Sequence, residues 1–352
     1  MNSENKKYLF DLLQTHSPSG FETPAQVLTN AYLSNYCEDI TIDINGNLIA
    51  HKKGSGKHKI MIIGHADEIG FMVNYIDESG FIYVKALGGF DVNMLPGLRV
   101  DIHHNDNIVH GIIGKKPIHL LRNSDEPSKL KLEDLWIDIG ARNKEDAQNL
   151  VSIGDTITFS SQIEELNEEL IVSKATDNKV GVYIASAVMK ELWEKDIKAD
   201  YYAVSSVGEE TTMRGAITSA YRIDPDIAVA VDVTFTSDIP GVDKHIYGDV
   251  SLGKGPVLCL GSALHPAINK KLTELAKEHN IPLQIEISPS RTGTDADAVF
   301  ASRQGTATAI LSIPNRYMHT PNEIISLADL DNAVQLLVEF VLSIDDTLEL
   351  KR

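Results

Sequence analysis

The fold is decided by one short stretch of the chain, Lys59-Ile60-Met61-Ile62-Ile63-Gly64-His65. Its apolar residues are nearly continuous, which is typical of a strand that is buried on both faces of a sheet. The apolar run ends at Gly64 and the polar His65. In open α/β sheets, ligands bind at the carboxyl ends of the strands. The stretch therefore predicts a central strand whose carboxyl end lies at a candidate site.

Segments on both sides of this strand extend the sheet. Upstream, residues 40–44 and 48–51 alternate apolar and polar side chains around Asn45-Gly46, which predicts a β-hairpin with a type I′ turn. Downstream, helical and strand patterns alternate from about residue 178, and a terminal helix is predicted over about 328–349. The alternation predicts an α/β fold, with a mixed sheet covered by helices on both faces.

The pattern of predicted secondary structure changes between about residues 70 and 163. Short β-like segments are separated there by glycines and prolines, such as Gly88-Gly89 and Pro96-Gly97, and only a short stretch near 142–150 is helical. We expect residues 1–69 and 164–352 to form one domain, and residues 70–163 to form a β-rich domain inserted into it.

Composition narrows the class of protein. The 352 residues include 32 Lys and Arg against 50 Asp and Glu, so the formal net charge is -18, which disfavours nucleic acids and anionic membranes as partners. The longest apolar stretch, residues 180–189, is about half of the ~20 residues that a membrane-spanning helix needs. Charged residues interrupt the leucines of residues 2–15, unlike the apolar core of a signal peptide. We therefore expect a cytoplasmic protein.

Histidine and acidic residues recur next to the predicted strands and helices. They are His65, Asp67, Asp177, Glu209, Glu210, Asp232 and His319. A carboxylate such as Asp67 can accept a hydrogen bond from a metal-binding histidine and fix its orientation. Burying Asp232 without a cation at the end of residues 227–231 would be unfavourable. Nitrogen and oxygen ligands of this kind suit a pair of zinc, cobalt or manganese ions.

Each of these residues also has an ordinary structural explanation. His65 and Asp67 are consistent with a solvated surface, and Asp232 with a residue that caps the next turn. Thr176-Asp177-Asn178 is typical of a helix N-cap. Adjacent acids are common too, since Glu164-Glu165 occurs in a polar stretch. From the residues alone, both explanations stay open.

Six segments, in this order along the chain, resemble the M42 family of metallo-aminopeptidases, which includes glutamyl and deblocking aminopeptidases and the tetrahedral TET particles. They are Gly64-His65-Ala66-Asp67-Glu68-Ile69-Gly70-Phe71, Ala175-Thr176-Asp177-Asn178-Lys179-Val180-Gly181, Gly208-Glu209-Glu210 with Arg214-Gly215-Ala216, Asp232-Val233-Thr234 with Asp238-Ile239-Pro240-Gly241, Gly293-Thr294-Asp295-Ala296, and Tyr317-Met318-His319-Thr320-Pro321. The resemblance covers nearly the whole chain. One departure is Thr211-Thr212-Met213, where family members often have Val-Gly-Leu, and this would alter the pocket wall.

The resemblance implies a role for each site residue. Asp177 would bridge two divalent metal ions (zinc, cobalt or manganese), with His65 and Asp232 completing one site. Glu210 and His319 would complete the other. Glu209 would be the general base acting on a water molecule between the metals, and Asp67 would orient His65.

The resemblance also implies the fold and the partners. The main domain would be of the zinc-peptidase type, and the insertion a small β-barrel used for dimerisation. Substrates would be peptides, and dimers would assemble into a homo-oligomer of twelve subunits.

Two other functions stay open. Some members of this family have been labelled endoglucanases, so a glycosidase with Glu209 in an acid/base pair is one alternative. A catalytically inactive binding scaffold is the other. The preferred N-terminal residue is open as well, because Arg291 is consistent either with a pocket for acidic side chains or with a solvated surface.

Overall fold

The structure is a computed structural model, and it describes residues 1–37, 39–120 and 130–351. The chain forms two compact units. We call the first, Met1–Glu68 with Ile163–Arg352, the sheet unit, and the second, Ile69–Gln162, the barrel unit. The sequence predicts these divisions one residue later, after residues 69 and 163.

The described residues form both α-helices and β-strands, numbered in chain order. The α-helices are α1 Ser3–Gln14, α2 Thr23–Leu33, α3 Lys144–Gln148, α4 Thr176–Leu192, α5 Glu209–Thr212, α6 Arg214–Ile223, α7 Lys244–Tyr247, α8 Pro266–Glu278, α9 Ala296–Val299 and α10 Leu327–Leu342. The strands are β1 Asp39–Ile42, β2 Leu48–Lys52, β3 Lys59–His65, β4 Gly70–Ile76, β5 Ile82–Leu87, β6 Arg99–His104, β7 Asn107–Gly114, β8 Trp136–Asp138, β9 Thr156–Phe159, β10 Glu164–Glu165, β11 Leu170–Ser173, β12 Asp200–Ser206, β13 Ile227–Phe235, β14 Val257–Gly261, β15 Gln284–Ser288, β16 Ala307–Asn315 and β17 Glu323–Ser326.

The sheet unit is built on a mixed sheet of eight strands in the order β1-β2-β12-β3-β13-β16-β14-β15. The strand β3 lies between β12 and β13 and runs parallel to both, as the sequence predicts for a central strand. The strand β16 continues the parallel set beside β13. Toward the edges, β2 and β14 run antiparallel to β12 and β16, so the mixed α/β sheet is confirmed.

Alternate residues of β3 enter two different hydrophobic clusters. Ile60 and Ile62 pack into the cluster that contains residues of α1, α4 and α10. Met61 and Ile63 pack on the opposite face, into the cluster that contains residues of α6 and α9. Because side chains alternate along a strand, His65 lies on the same face as Ile63. A Cβ atom on Gly64 would lie 2.3 Å from the backbone of α4, so this close approach requires glycine.

The hairpin of β1 and β2 is confirmed, but its predicted type I′ turn is wrong. The two strands pair antiparallel, from Ile42 opposite Leu48 to Asp39 opposite His51. Both central residues of a type I′ turn have positive φ, whereas of Asn45 and Gly46 only Gly46 does, at 97°. The Asp43 carboxylate accepts hydrogen bonds from the main-chain N–H groups of Asn45 and Asn47, and thereby stabilises a wider loop.

The terminal helix is shorter than the sequence predicts, because α10 ends at Leu342 rather than near residue 349. Beyond it, the Asp345 carboxylate accepts hydrogen bonds from the N–H and the hydroxyl of Thr347, and these favour a turn over a helix. Among the residues that the structure describes, no helix combines the length and the apolar character that crossing a membrane would require.

The barrel unit is a small closed barrel with the strand order β4-β5-β8-β7-β6-β9, as the family resemblance implies. Its interior is apolar, and Phe71 packs edge-on against Phe159 with ring centroids 5.7 Å apart. The short helical stretch predicted near 142–150 corresponds to α3.

Candidate metal centre

Parallel strands bring the candidate residues of the sheet unit to one edge. His65 ends β3 and is the register partner of Ser206, the last residue of β12. Glu209 and Glu210 begin α5 directly after β12. Asp232 lies on the neighbouring β13 and points to the same face as His65, because Ala230 and Ile63 share one hydrophobic cluster.

Asp177 stands between the two candidate histidines. Its Oδ1 lies 3.2 Å from Nε2 of His65, and its Oδ2 lies 3.1 Å from Nε2 of His319. Nε2 of His319 is also 3.4 Å from Oε1 of Glu210. Nε2 of His65 is 3.7 Å from Oε2 of Glu209 and 4.0 Å from Oδ1 of Asp232. The residues singled out from the sequence therefore converge.

These donors fit divalent metal ions. Ligand atoms of His65, Asp177 and Glu210 all lie within 4.8 Å of one another. Oε1 of Glu210 is buried and accepts no hydrogen bond from the part of the chain that the structure describes. Imidazole nitrogens and carboxylate oxygens suit zinc and similar ions. This small group contains three of the five predicted ligands, with Asp232 and His319 at its margin.

The two histidines supply positive charge to a site rich in acids. Although burial opposes it, the contacts with Asp177 and Glu210 raise the pKa of His319 to about 11. The pKa of His65 is raised in the same way by Asp177 and Asp67, again against burial. Hydrogen bonds from both rings, also against burial, hold the pKa of Asp177 below its usual value. A bound metal ion displaces such protons from its ligands.

The remaining acids of the site are poorly compensated. Burial, together with the nearby carboxylates of Asp232 and Asp295, raises the pKa of Glu209 to about 10, although the charge of His65 opposes this. Burial and the charge of Asp177 likewise raise the pKa of Asp232. Carboxylates that crowd in a buried site favour cation binding, because a cation stabilises their charged forms. The electrostatics therefore agree with the donor geometry.

Asp67 contacts more than the residue it is predicted to orient. Nδ1 of His65 lies 3.1 Å from the main-chain oxygen of Asp67 and 3.4 Å from its carboxylate. The carboxylate itself accepts hydrogen bonds from the main-chain N–H groups of Glu209 and Glu210, at 3.0 and 3.1 Å, and from the hydroxyl of Ser19. Asp67 therefore fixes the backbone that carries both glutamates.

The N-cap explanation for Thr176-Asp177-Asn178 holds for Asn178 but not for Asp177. The side chain of Asn178 accepts the N–H of Gly181 at 3.1 Å. The Asp177 carboxylate instead lies between the two histidines, 3.2 Å from Nε2 of His65 and 3.1 Å from Nε2 of His319. The surface explanation for His65 is also wrong, because only 1% of this residue is exposed.

Two buried acids of the site were not identified from the sequence. Glu323 accepts hydrogen bonds from the main-chain N–H groups of Asp177 and His319, at 3.0 and 2.9 Å, and from the hydroxyl of Thr176 at 2.7 Å. Asp295 accepts the hydroxyl of Ser206 and contributes to the electrostatics of Glu209. Two features of the sequence could have pointed to them: Glu323 lies four residues after His319, and Asp295 lies in the motif of residues 293–296.

Arg291 does not take part in this site. Its side chain is 90% exposed, and its Nε lies 3.9 Å from a carboxylate oxygen of Asp297. Of the two explanations that the sequence leaves open, the structure therefore favours a solvated surface arginine.

A helix-covered mixed sheet with histidine and carboxylate donors gathered at one edge is typical of metal-dependent hydrolases of the zinc-peptidase type. Comparison with known families makes this specific: the M42 glutamyl aminopeptidase family matches residues 46–336, so the chain belongs to that family. As a member of this family, the protein is an aminopeptidase. M42 peptidases are metal-dependent.

Individual relatives agree over almost their entire length. A lysyl aminopeptidase of Pyrococcus furiosus is 35% identical, and the match covers 92% of this chain and 93% of the relative. A TET aminopeptidase from the archaeon Thaumarchaeota archaeon SCGC AB-539-E09 has a TM-score of 0.93 at 28% identity, with 98% of each chain covered. A TET1 peptidase of Pyrococcus horikoshii, which can assemble into a tetrahedron or a large octahedral shell, has a TM-score of 0.85 at 28% identity, with 97% and 100% covered.

Proposed function

We propose that this aminopeptidase uses two divalent metal ions, zinc, cobalt or manganese, held by five side chains. Asp177 would bridge them, with His65 and Asp232 on one side and Glu210 and His319 on the other. The observation that carries the proposal is the position of Asp177, whose two carboxylate oxygens lie 3.2 and 3.1 Å from the two imidazoles. When bound, such a pair of ions activates water and polarises the carbonyl of the bond to be cleaved.

Glu209 is the general base in this proposal. Its carboxylate borders the site, 3.7 Å from His65, and the Asp67 carboxylate holds its main-chain N–H. Glu209 takes a proton from the attacking water onto a carboxylate oxygen and delivers it to the leaving amine. A positioned general base contributes about 10² to 10⁴ in rate.

The substrates would be peptides with a free N-terminus, and the protein would act as a homo-oligomer. The assembly of the Pyrococcus horikoshii relative into a tetrahedron or an octahedral shell supports this. We propose dimers that build a dodecamer, with the barrel unit as the dimerisation module. The barrel unit carries exposed apolar side chains, Tyr75, Ile108 and Ile112, that suit an interface. The cytoplasmic location stays a prediction.

A substitution at Glu209 tests the mechanism. We expect Glu209→Gln to lower kcat by at least about a hundredfold while the protein still binds two metal ions per chain, because the amide cannot accept the proton. The matched control is Glu194→Gln. Glu194 is exposed and lies beyond the end of α4, at the opposite end of that helix from Asp177. Full activity of Glu209→Gln with both ions bound would exclude Glu209 as the base.

Chelation separates this proposal from a sugar hydrolase. Hydrolysis of aminoacyl para-nitroanilides should stop in EDTA and return with zinc or cobalt. Hydrolysis by two carboxylates needs no metal and would survive the chelator. Purified protein that binds no metal under any condition would instead revive the inactive scaffold.

A further inference from the structure

A carboxylate that the mechanism does not use, Glu286, lies on the same face of the sheet as Asp232. Its Oε2 accepts a hydrogen bond from the hydroxyl of Thr234 at 2.5 Å, and its Oε1 accepts one from Ser312 at 3.3 Å. Ser312 on β16 is the register partner of Asp232 on β13. Thr234 follows Asp232 by two residues, so both side chains point to one face, ~6.6 Å apart along the strand. Glu286 is therefore about one side-chain length from the candidate metal ligands.

In the part of the chain that the structure describes, no cationic side chain balances the charge of Glu286. Its polar partners are the two hydroxyl groups, and within the described ranges 1–37, 39–120 and 130–351 it forms no ion pair. The arginines nearest in sequence to Ser312 and to Glu286 do not pair with it: Arg316 binds both carboxylate oxygens of Asp238, and Arg291 is solvated. Burial raises the pKa of Glu286, so an incoming cation would stabilise its charged form.

Access to this carboxylate is partly open. Glu286 and Thr234 are half-buried, so part of each side chain is open to solvent on this face of the sheet. A side chain that enters beside Asp232 along β13 can therefore reach the carboxylate without displacing the core. The four-carbon stem of lysine, which ends in an ammonium group with three donors, matches both the distance and the charge.

We propose that Glu286 determines specificity for the N-terminal residue of the substrate, and that the enzyme prefers peptides beginning with lysine or arginine. This inference rests on the proposed function, because it requires the scissile bond to lie at His65, Asp177 and Asp232. The cationic side chain then extends along β13 and pairs with the Glu286 carboxylate.

A purely structural role is the alternative, in which Glu286 only ties β15 to β13 and β16. The substitution Glu286→Gln separates the two. Threonine and serine hydroxyls donate and accept hydrogen bonds, so an amide satisfies Thr234 and Ser312 as a carboxylate does. Glutamine therefore keeps the structural contacts and removes only the charge.

The experiment measures kcat/KM for para-nitroanilides of lysine, arginine, norleucine and glutamate with metal-loaded protein. Norleucine has the length of lysine without the charge. We expect wild-type protein to prefer lysine over norleucine by at least about tenfold, and Glu286→Gln to lower the lysine-to-norleucine ratio by roughly ten- to a hundredfold. The exposed acid Glu194 again supplies the control, because Glu194→Gln should leave the ratio unchanged.

The possible outcomes show whether the role of Glu286 or the proposed function itself is wrong. Equal cleavage of lysine and norleucine by wild-type protein, a preference for glutamate, or an unchanged ratio in folded Glu286→Gln would each overturn the role of Glu286. Failure to cleave any of the four substrates with zinc or cobalt present would overturn the proposed function instead. Should the variant not fold, the comparison of lysine with norleucine in wild-type protein still decides the preference.

Discussion

Replacing Glu323 with glutamine should loosen one metal ion and leave the other in place. Glu323 is 2% exposed and accepts three hydrogen bonds. Its Oε2 receives two of them, from Thr176 and the main chain of Asp177, and its Oε1 receives one, from the main chain of His319. An amide offers one oxygen and one NH₂ group. Its oxygen should face the two donors near Asp177, and its NH₂ group then opposes the N–H of His319.

The expected loss of metal affinity follows from this one lost hydrogen bond. A hydrogen bond to a charged group contributes about 1.5 to 3 kcal/mol. Since tenfold in affinity corresponds to about 1.4 kcal/mol, one lost bond predicts a decrease of roughly ten- to a hundredfold. Substitutions of residues that orient metal ligands have effects of the same size, about 10- to 100-fold. The decrease should fall on the ion that we propose His319 and Glu210 to hold.

Calorimetric titration of chelator-stripped protein with zinc measures this directly. Wild-type protein should bind two ions per chain, and Glu323→Gln should bind one with wild-type affinity and the second more weakly. The matched control is Glu168→Gln, because Glu168 is an exposed acid in a loop of the same unit. Unchanged affinity for both ions would refute the reasoning, as would a lower melting temperature with unchanged metal binding, which would make Glu323 a structural residue only.

Three further outcomes are expected. Removal of the metals with EDTA should lower the melting temperature, because ligand at a hundredfold its Kd stabilises by about 2.7 kcal/mol, and differential scanning calorimetry with zinc added back checks this. Asp67→Asn should lower kcat by about 10- to 100-fold with little change in KM, because its amide would oppose the N–H of Glu209 or Glu210; steady-state kinetics would contradict this if KM alone changed. Although burial opposes it, Lys174 and Lys179 lower the pKa of Glu68 to about 2, against a usual value of 4.5. The depressed pKa contributes about 3 kcal/mol of stability above pH ~4.5, and this is lost as the pH falls toward 2. Urea unfolding between pH 6 and 3 should therefore show a weaker acid dependence for Glu68→Gln, and an identical dependence would exclude this ion pair as the cause.

Much of the sheet unit could be predicted because its central strands consist of nearly continuous apolar residues. The central position of β3 follows from a nearly continuous run of residues without a polar face, and the polar residues after β3 and β12 mark the edge where parallel strands end. The convergence of His65, Asp177 and His319 could not be derived from spacing alone, because these residues lie in distant parts of the chain. It was available only through the resemblance of whole motifs.

The features that the sequence did not predict depend on contacts between distant segments or on side chains that bind the main chain. Asn45-Gly46 favours a tight turn by itself, but the Asp43 carboxylate binds the main chain of the loop and widens it. Glu323 follows Thr320-Pro321, a helix-breaking segment in which an exposed acid would be ordinary. Its burial involves contacts with Thr176 and Asp177, which lie far away in the sequence. The acceptor Glu286 is similar, since its hydroxyl partners come from two other strands.

The donors of the candidate centre are spread along the chain from His65 to His319, with Glu323 supporting them from further on. In the proposed assignment, the ligands of one ion are present once residue 232 has been made, whereas the other ion also needs His319. A chain that ends before His319 would lack both this histidine and β17, and could not complete the second of the two proposed ion sites. We therefore expect the proposed pair of ions to be complete only after the segment with His319 has folded against Asp177.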